Sequence, residues 1–237
     1  MRAIKFVAWA AFLGLSFTAP AAAQRCEVDS GFRASYFRVG YDQRELVKLF
    51  RSLDEIPEEV KDRLNEHLRQ RLGSKFAEKL RFEEGQWLDR ENLRKLYPSV
   101  YEENAELGSY DLLFSFSDPG KGLKIFFTKL VLNEDGSVNR EIGLPDIVSD
   151  PSKAEIISCS AAYSIAESSG FPKSLSRVRF EYSEERQTFV WIITDPRETE
   201  PDDPMFYVLG FKDFYRRIEI DANTGAILRI YKYAIFL

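Results

Sequence analysis

FYRRIEIDANTGAILRIYKY, residues 214–233, decides the reading of this chain. Ile218, Ile220, Ile227 and Tyr231 belong to β-branched and aromatic runs suited to a pleated, half-buried surface. Between the runs, Asp221 and Asn223 can hydrogen-bond nearby backbone, and Gly225 can take a positive φ without steric cost. Strand, turn, strand is the expectation. The same residues resemble the start of a calcium-binding loop, but the glycine comes one residue early and Lys232 stands where such a loop needs its closing glutamate. The turn is therefore read as structural, and neither a metal nor a cofactor is expected.

The chain opens with Arg2 and Lys5, a short apolar run from Phe6 to Phe17, and small residues up to Ala23. That order predicts a secretory signal over 1–23, too short to span a bilayer, and hence a periplasmic or extracellular protein with no later membrane span. The remainder is long enough to bury one large core or two small ones. A formal charge of −5 with no basic, aromatic-interleaved patch argues against nucleic acid as a partner. Cys26 and Cys159 are the two cysteines, and an oxidising compartment predicts a disulfide between them, with two inert thiols as the alternative.

Working back from the hairpin, Leu46, Leu49, Phe50, Leu53 and Ile56 recur at helical spacing and predict a helix over 42–56. Pro57 suits the first turn of a second helix carrying the stripe Val60, Leu64, Leu68 and Leu72, interrupted at Gly73-Ser74. His67, the single histidine, sits beside that stripe and reads as a boundary residue. A hairpin turning at Glu84-Gly85 is predicted over 79–88, then a short helix capped by Asp89. Strands follow over 110–117 and 123–133, joined at Asp118-Pro119-Gly120, and a turn at 134–137 leads to a strand over 138–142.

Residues 143–151 read as a linker, with Asp150 capping a helix that puts Ile156, Cys159, Tyr163 and Ala166 on one face and closes at Gly170. Strands are predicted over 175–182, 188–194 and 205–209 before the terminal pair. Between them, 195–204 reads as an acidic, proline-rich loop whose Arg197, Glu198, Glu200, Asp202 and Asp203 are candidate contact residues.

KLVLNEDGSVNREI (129–142) can be laid on RRIEIDANTGAILRI (216–230) so that Leu130 falls on Ile218, Leu132 on Ile220, Gly136 on Gly225 and Val138 on Ile227. Chance hairpin similarity and duplication both account for this, and a helix before the strands each time favours duplication. The predicted fold is α+β, with helices packed on antiparallel sheets. Its regions are 24–145, a degenerate repeat in this reading, and 146–237.

The second half, about residues 151–233, resembles the PepSY domain through the turn Asp221-Ala222-Asn223-Thr224-Gly225, the Val190-Trp191 pair and the Ala-x-x-Ile-Ala run at 161–166. That resemblance implies a cystatin-like helix-on-sheet unit and an exported, non-enzymatic module, inhibitory or chaperone-like in some members. It brings no catalytic residues.

Three functions follow. The first is a non-catalytic binding or regulatory module acting on a protein or cell-envelope partner. The second is a small-ligand carrier, permitted by the 14% aromatic content. The third is a secreted hydrolase, which would have to build a Ser-His-Asp triad on His67 without a Gly-x-Ser-x-Gly elbow.

Overall fold

A computed structural model gives the fold, describing residues 28–31, 45–103, 106–172, 176–198 and 213–235. The signal segment, Cys26 and the strand expected over 205–209 lie outside them. Two sheets organise the chain. The first contains β1 (Val28–Gly31), β2 (Val47–Phe50), β3 (Arg81–Leu88), β4 (Tyr110–Asp118), β5 (Leu123–Leu132) and β6 (Val138–Arg140), in the order β1-β5-β4-β3-β2. β1 runs parallel to β5, and every other pairing is antiparallel; β6 pairs β5 further along. The second sheet is an antiparallel meander of β7 (Arg177–Ser183), β8 (Thr188–Glu198), β9 (Asp213–Asp221) and β10 (Ile227–Ile235).

The sheets meet through phenylalanines. Phe126 of β5 lies 5.5 Å from Phe180 and 5.7 Å from Phe189, ring centre to ring centre, and Phe116 of β4 lies 5.7 Å from Phe189. Edge-on and tilted pairs at these distances add attraction beyond the area they bury. α1 (Glu58–Ala77) feeds Val60, Leu64, Leu68, Leu72 and Phe76 into the same core, and α4 (Cys159–Ser168) adds Cys159, Ala162 and Ala166. α2 (Arg90–Leu96) and α3 (Pro98–Glu103) are short, and Leu93 of α2 packs with Leu88 in a small satellite cluster. No helix among the described residues is long and apolar enough to cross a membrane.

This corrects the expected α+β arrangement of helices laid on sheets. The described residues contain ten strands and four α-helices, and the main core lies where two sheets face each other. Part of the error lies in a helix that does not form. The helix expected over 42–56 is strand β2 followed by a turn of 3-10 helix at Leu53–Glu55, capped by Ser52. Phe50 explains the switch: its ring stacks on Phe82 at 5.8 Å and crosses β3 over Gly85. A Cβ at Gly85 would come within 2.2 Å of that ring, so Gly85 admits the ring instead of turning a hairpin. The 79–88 segment is accordingly one strand, kinked by a bulge between Phe82 and Glu84.

α4 likewise starts later than expected. Asp150 caps only the short 3-10 turn Pro151–Ala154, while Ser158 caps α4 by accepting from the Ala161 N–H. The segment 143–151, read as a linker, is packed on the body: Leu144 and Ile147 are buried and the Ile147 and Val148 amides donate to the Arg71 carbonyl. The acidic loop also begins later, since Asp195–Glu198 belongs to β8.

Other expectations are met. The stripe on α1 is buried as read, and Gly73 breaks the helix with φ +70°. The two aligned hairpins share a register: Leu132 pairs Val138 just as Ile220 pairs Ile227. Gly136 (φ +81°) lies against Val60 and Arg63 of α1, and Gly225 (φ +77°) lies against Ile165 of α4.

Candidate functional site on the second sheet

Strand alternation sorts β9 into two faces. Phe214, Ile218 and Ile220 enter the core, which leaves Tyr215, Arg217 and Glu219 on the opposite side. Antiparallel pairing sets Arg229 beside Glu219, Tyr231 beside Arg217 and Tyr233 beside Tyr215 on β10. The Arg229 guanidinium donates to Glu219 twice, at 2.6 and 2.7 Å, and the Tyr231 hydroxyl donates to the same carboxylate at 2.8 Å. Burial pushes the Glu219 carboxyl up, but the bonds from Arg229 and Tyr231 outweigh it and hold the group below its ordinary value.

Arg217 is placed differently. Its guanidinium carbon lies 3.8 Å from the centre of the Tyr233 ring and 5.9 Å from that of Tyr231, whose hydroxyl accepts a hydrogen bond at 3.3 Å. Its Nε is buried without a partner, and no carboxylate among the described residues pairs with it. The result is a flat tyrosine–arginine platform with an uncompensated cation. It borders β10, which is hydrogen-bonded on one side only among the described residues. Ile227 and Ile230 of β10 are 45% and 47% exposed, a large fraction for β-branched apolar side chains. A long edge strand with open backbone groups and apolar side chains can accept an extended peptide as a further strand.

The turn at 221–225 anchors this surface. The Asp221 carboxylate accepts from the Asn223 and Thr224 amides at 2.9 and 2.8 Å. The Asn223 side-chain amide donates to the carbonyls of Lys153 and Glu155 at 2.9 and 2.6 Å and accepts from the Thr188 hydroxyl at 2.7 Å. Asp221, Asn223 and Gly225 are thus a connector stitched to β8 and to the segment before α4. Among the described residues no group of three or more His, Cys, Asp or Glu side chains is placed to hold a metal ion.

The remaining sequence candidates scatter. Arg197 grips Asp195, at 2.9 Å from Nε to Oδ1 and 2.5 Å from a terminal nitrogen to Oδ2; the Asp195 side chain is 1% exposed against 56% for Arg197. That bond holds the Asp195 carboxyl below its ordinary value. The backbone of Glu198 pairs with Tyr215, whereas Glu200, Asp202 and Asp203 lie outside the described residues. Cys159 is fully buried, and its expected partner, Cys26, lies outside the described residues.

His67 meets the Glu141 carboxylate at 3.1 Å, and Glu141 also faces Arg71 at 3.6 Å. Arg71 donates to the Leu144 carbonyl at 2.8 Å and reaches Gln187, which accepts from the Tyr182 hydroxyl at 2.8 Å. This polar seam joins α1 to the β7–β8 turn, where Gln187 takes φ +52°. The Arg–Tyr platform went unread in the sequence, although its signal was present: Tyr215, Arg217 and Glu219 alternate with the apolar β9 residues at the strand period.

No family model matches the chain, and no curated protein or solved structure matches it either.

Proposed function

We propose that this chain is an exported, non-catalytic binding module that acts on a protein or cell-envelope partner. The partner segment would join the second sheet along β10. One observation carries this reading: the nine-residue edge strand β10 exposes Ile227 and Ile230 on the face of Ile220 and Ile218, and carries the Arg217–Tyr233 stack on its other face. Arg217, stacked on Tyr233 of this strand, has no carboxylate partner among the described residues, within a chain of formal charge −5. A partner strand with acidic side chains complements that local sign, while the backbone ladder supplies the affinity. Export also favours a Cys26–Cys159 disulfide, which would tie the start of the mature chain to α4.

The test is capture of a partner from the envelope fraction on immobilised protein, repeated with Ile230→Glu and Tyr233→Ser. A partner held by the parent protein and lost on both variants supports the reading. Equal recovery on all three proteins, or nothing above a bare matrix, overturns it.

A further inference from the structure

One end of the core stays open beneath the start of α1. Strand pairing lines up Lys48 of β2, Trp87 of β3 and Tyr110 of β4, each the register partner of the next. The first turn of α1 brings Glu59 to this row, and the β5–β6 turn brings Glu134 and Asp135. Together they line a cleft of about 510 Å³. Small-molecule sites occupy roughly 300–1,000 Å³ and combine an apolar lining with a few placed polar groups.

The polar groups here are unevenly committed. Asp135 is spent on the Ser137 amide and hydroxyl, at 2.9 and 2.6 Å. Glu59 and Glu134 have no hydrogen-bond or ion-pair partner among the described residues. The Tyr110 side chain lines the cleft in a residue only 5% exposed, and its hydroxyl makes no hydrogen bond among the described residues. That hydroxyl is not sealed from water, so an occupant of the cleft can reach it. Burial and the nearby Glu134 push this hydroxyl up from its ordinary value, so it stays protonated. Lys48 is exposed, and the carboxylates around it outnumber its charge.

We propose that this cleft binds a small organic cation, an ammonium group carried on an apolar body. The ammonium would ion-pair with Glu134 and Glu59 and donate to the Tyr110 oxygen, while the apolar body lies against Trp87. An indole face attracts a cation, and the two carboxylates disfavour an anion of the same shape. The site lies apart from β10, so either could fail while the other holds.

Three probes share one body and differ in charge: 2-phenylethylamine, 2-phenylethanol and 3-phenylpropanoate. Each is titrated into the full exported protein and followed by calorimetry and by Trp87 fluorescence. The amine should bind at least roughly tenfold tighter than the other two, with Tyr110→Phe and Glu134→Gln each weakening it about fivefold, as loss of one hydrogen bond or one partly solvated charge would. Melting curves establish that both variants are folded. Equal affinity for the three probes, preference for the carboxylate, indifference to both substitutions, or no amine binding up to about 10 mM would each overturn the proposal.

Discussion

Asn223 is the most informative residue to change, because its side chain holds the terminal hairpin against the segment before α4. It makes three short hydrogen bonds, to the Lys153 and Glu155 carbonyls and from the Thr188 hydroxyl. Each such bond contributes about 1 kcal/mol net, and carbonyls left facing no donor cost more, so Asn223→Ala should destabilise by about 2–3 kcal/mol. For a chain of this size that lowers the melting temperature by about 5–10 °C. Asn223→Asp tests the geometry more sharply. It keeps the shape but turns an oxygen, in place of the donating amide, towards two carbonyls. At pH 7 it should fall below Asn223→Ala by about 1 kcal/mol or more.

The sign of its pH dependence follows from the same contacts. A carboxyl facing carbonyl oxygens has its folded-state pKa raised, since only the protonated acid can donate to them. The variant's stability is then fully present below the ordinary carboxylate pKa of about 4 and is lost as pH rises through the folded value. The gap between the Asp and Ala variants should therefore close on acidification. Thermal unfolding followed by circular dichroism at pH 7 and near pH 4 measures both. An Asp variant as stable as the Ala variant at pH 7 would refute the carbonyl cage as the source of stability.

Gly85→Ala should destabilise by about 2 kcal/mol or more, because the new methyl would overlap the buried Phe50 ring. Gly120→Ala, whose nearest neighbour is Asp118 at 3.5 Å, should leave the urea midpoint almost unchanged. Lys129 donates to Asp111 at 2.7 Å on a largely buried pair, so Lys129→Met should cost about 3–5 kcal/mol by stranding the carboxylate. Adding Asp111→Leu should restore most of that loss, and a double variant no better than the single would refute the pairing argument. The intact protein should gain the mass of two hydrogens on reduction, and an unchanged mass would rule out the Cys26–Cys159 bond.

What was legible in the sequence was local. The hairpin at 214–233, the buried stripe on α1 and the Asp89 cap each follow from residues close together in the chain, and each is found. What was illegible depends on distant neighbours. Leu46, Leu49, Phe50 and Leu53 fit a helix by spacing, and only the presence of Gly85 and Phe82 across the strand makes β2 the better partner for Phe50. Asp150 competes with Ser158 for the start of a helix, and Ser158 wins where Cys159, Ala162 and Ala166 can be buried together. The cleft was invisible for the same reason: Lys48, Trp87 and Tyr110 meet only through strand register. The platform around Arg217 was readable in principle, because its alternation lies within a single hairpin.

The phenylalanine contact between the sheets has a consequence for the energetics of the whole chain. Phe116 and Phe126 shield Phe180 and Phe189, and those residues shield them in return. Neither sheet owns a dry face that survives removal of the other. A calorimeter should record one cooperative heat-absorption peak for the two sheets. A polypeptide severed between Gly143 and Asp150 should yield fragments that stay unstructured alone and regain the native state only when mixed.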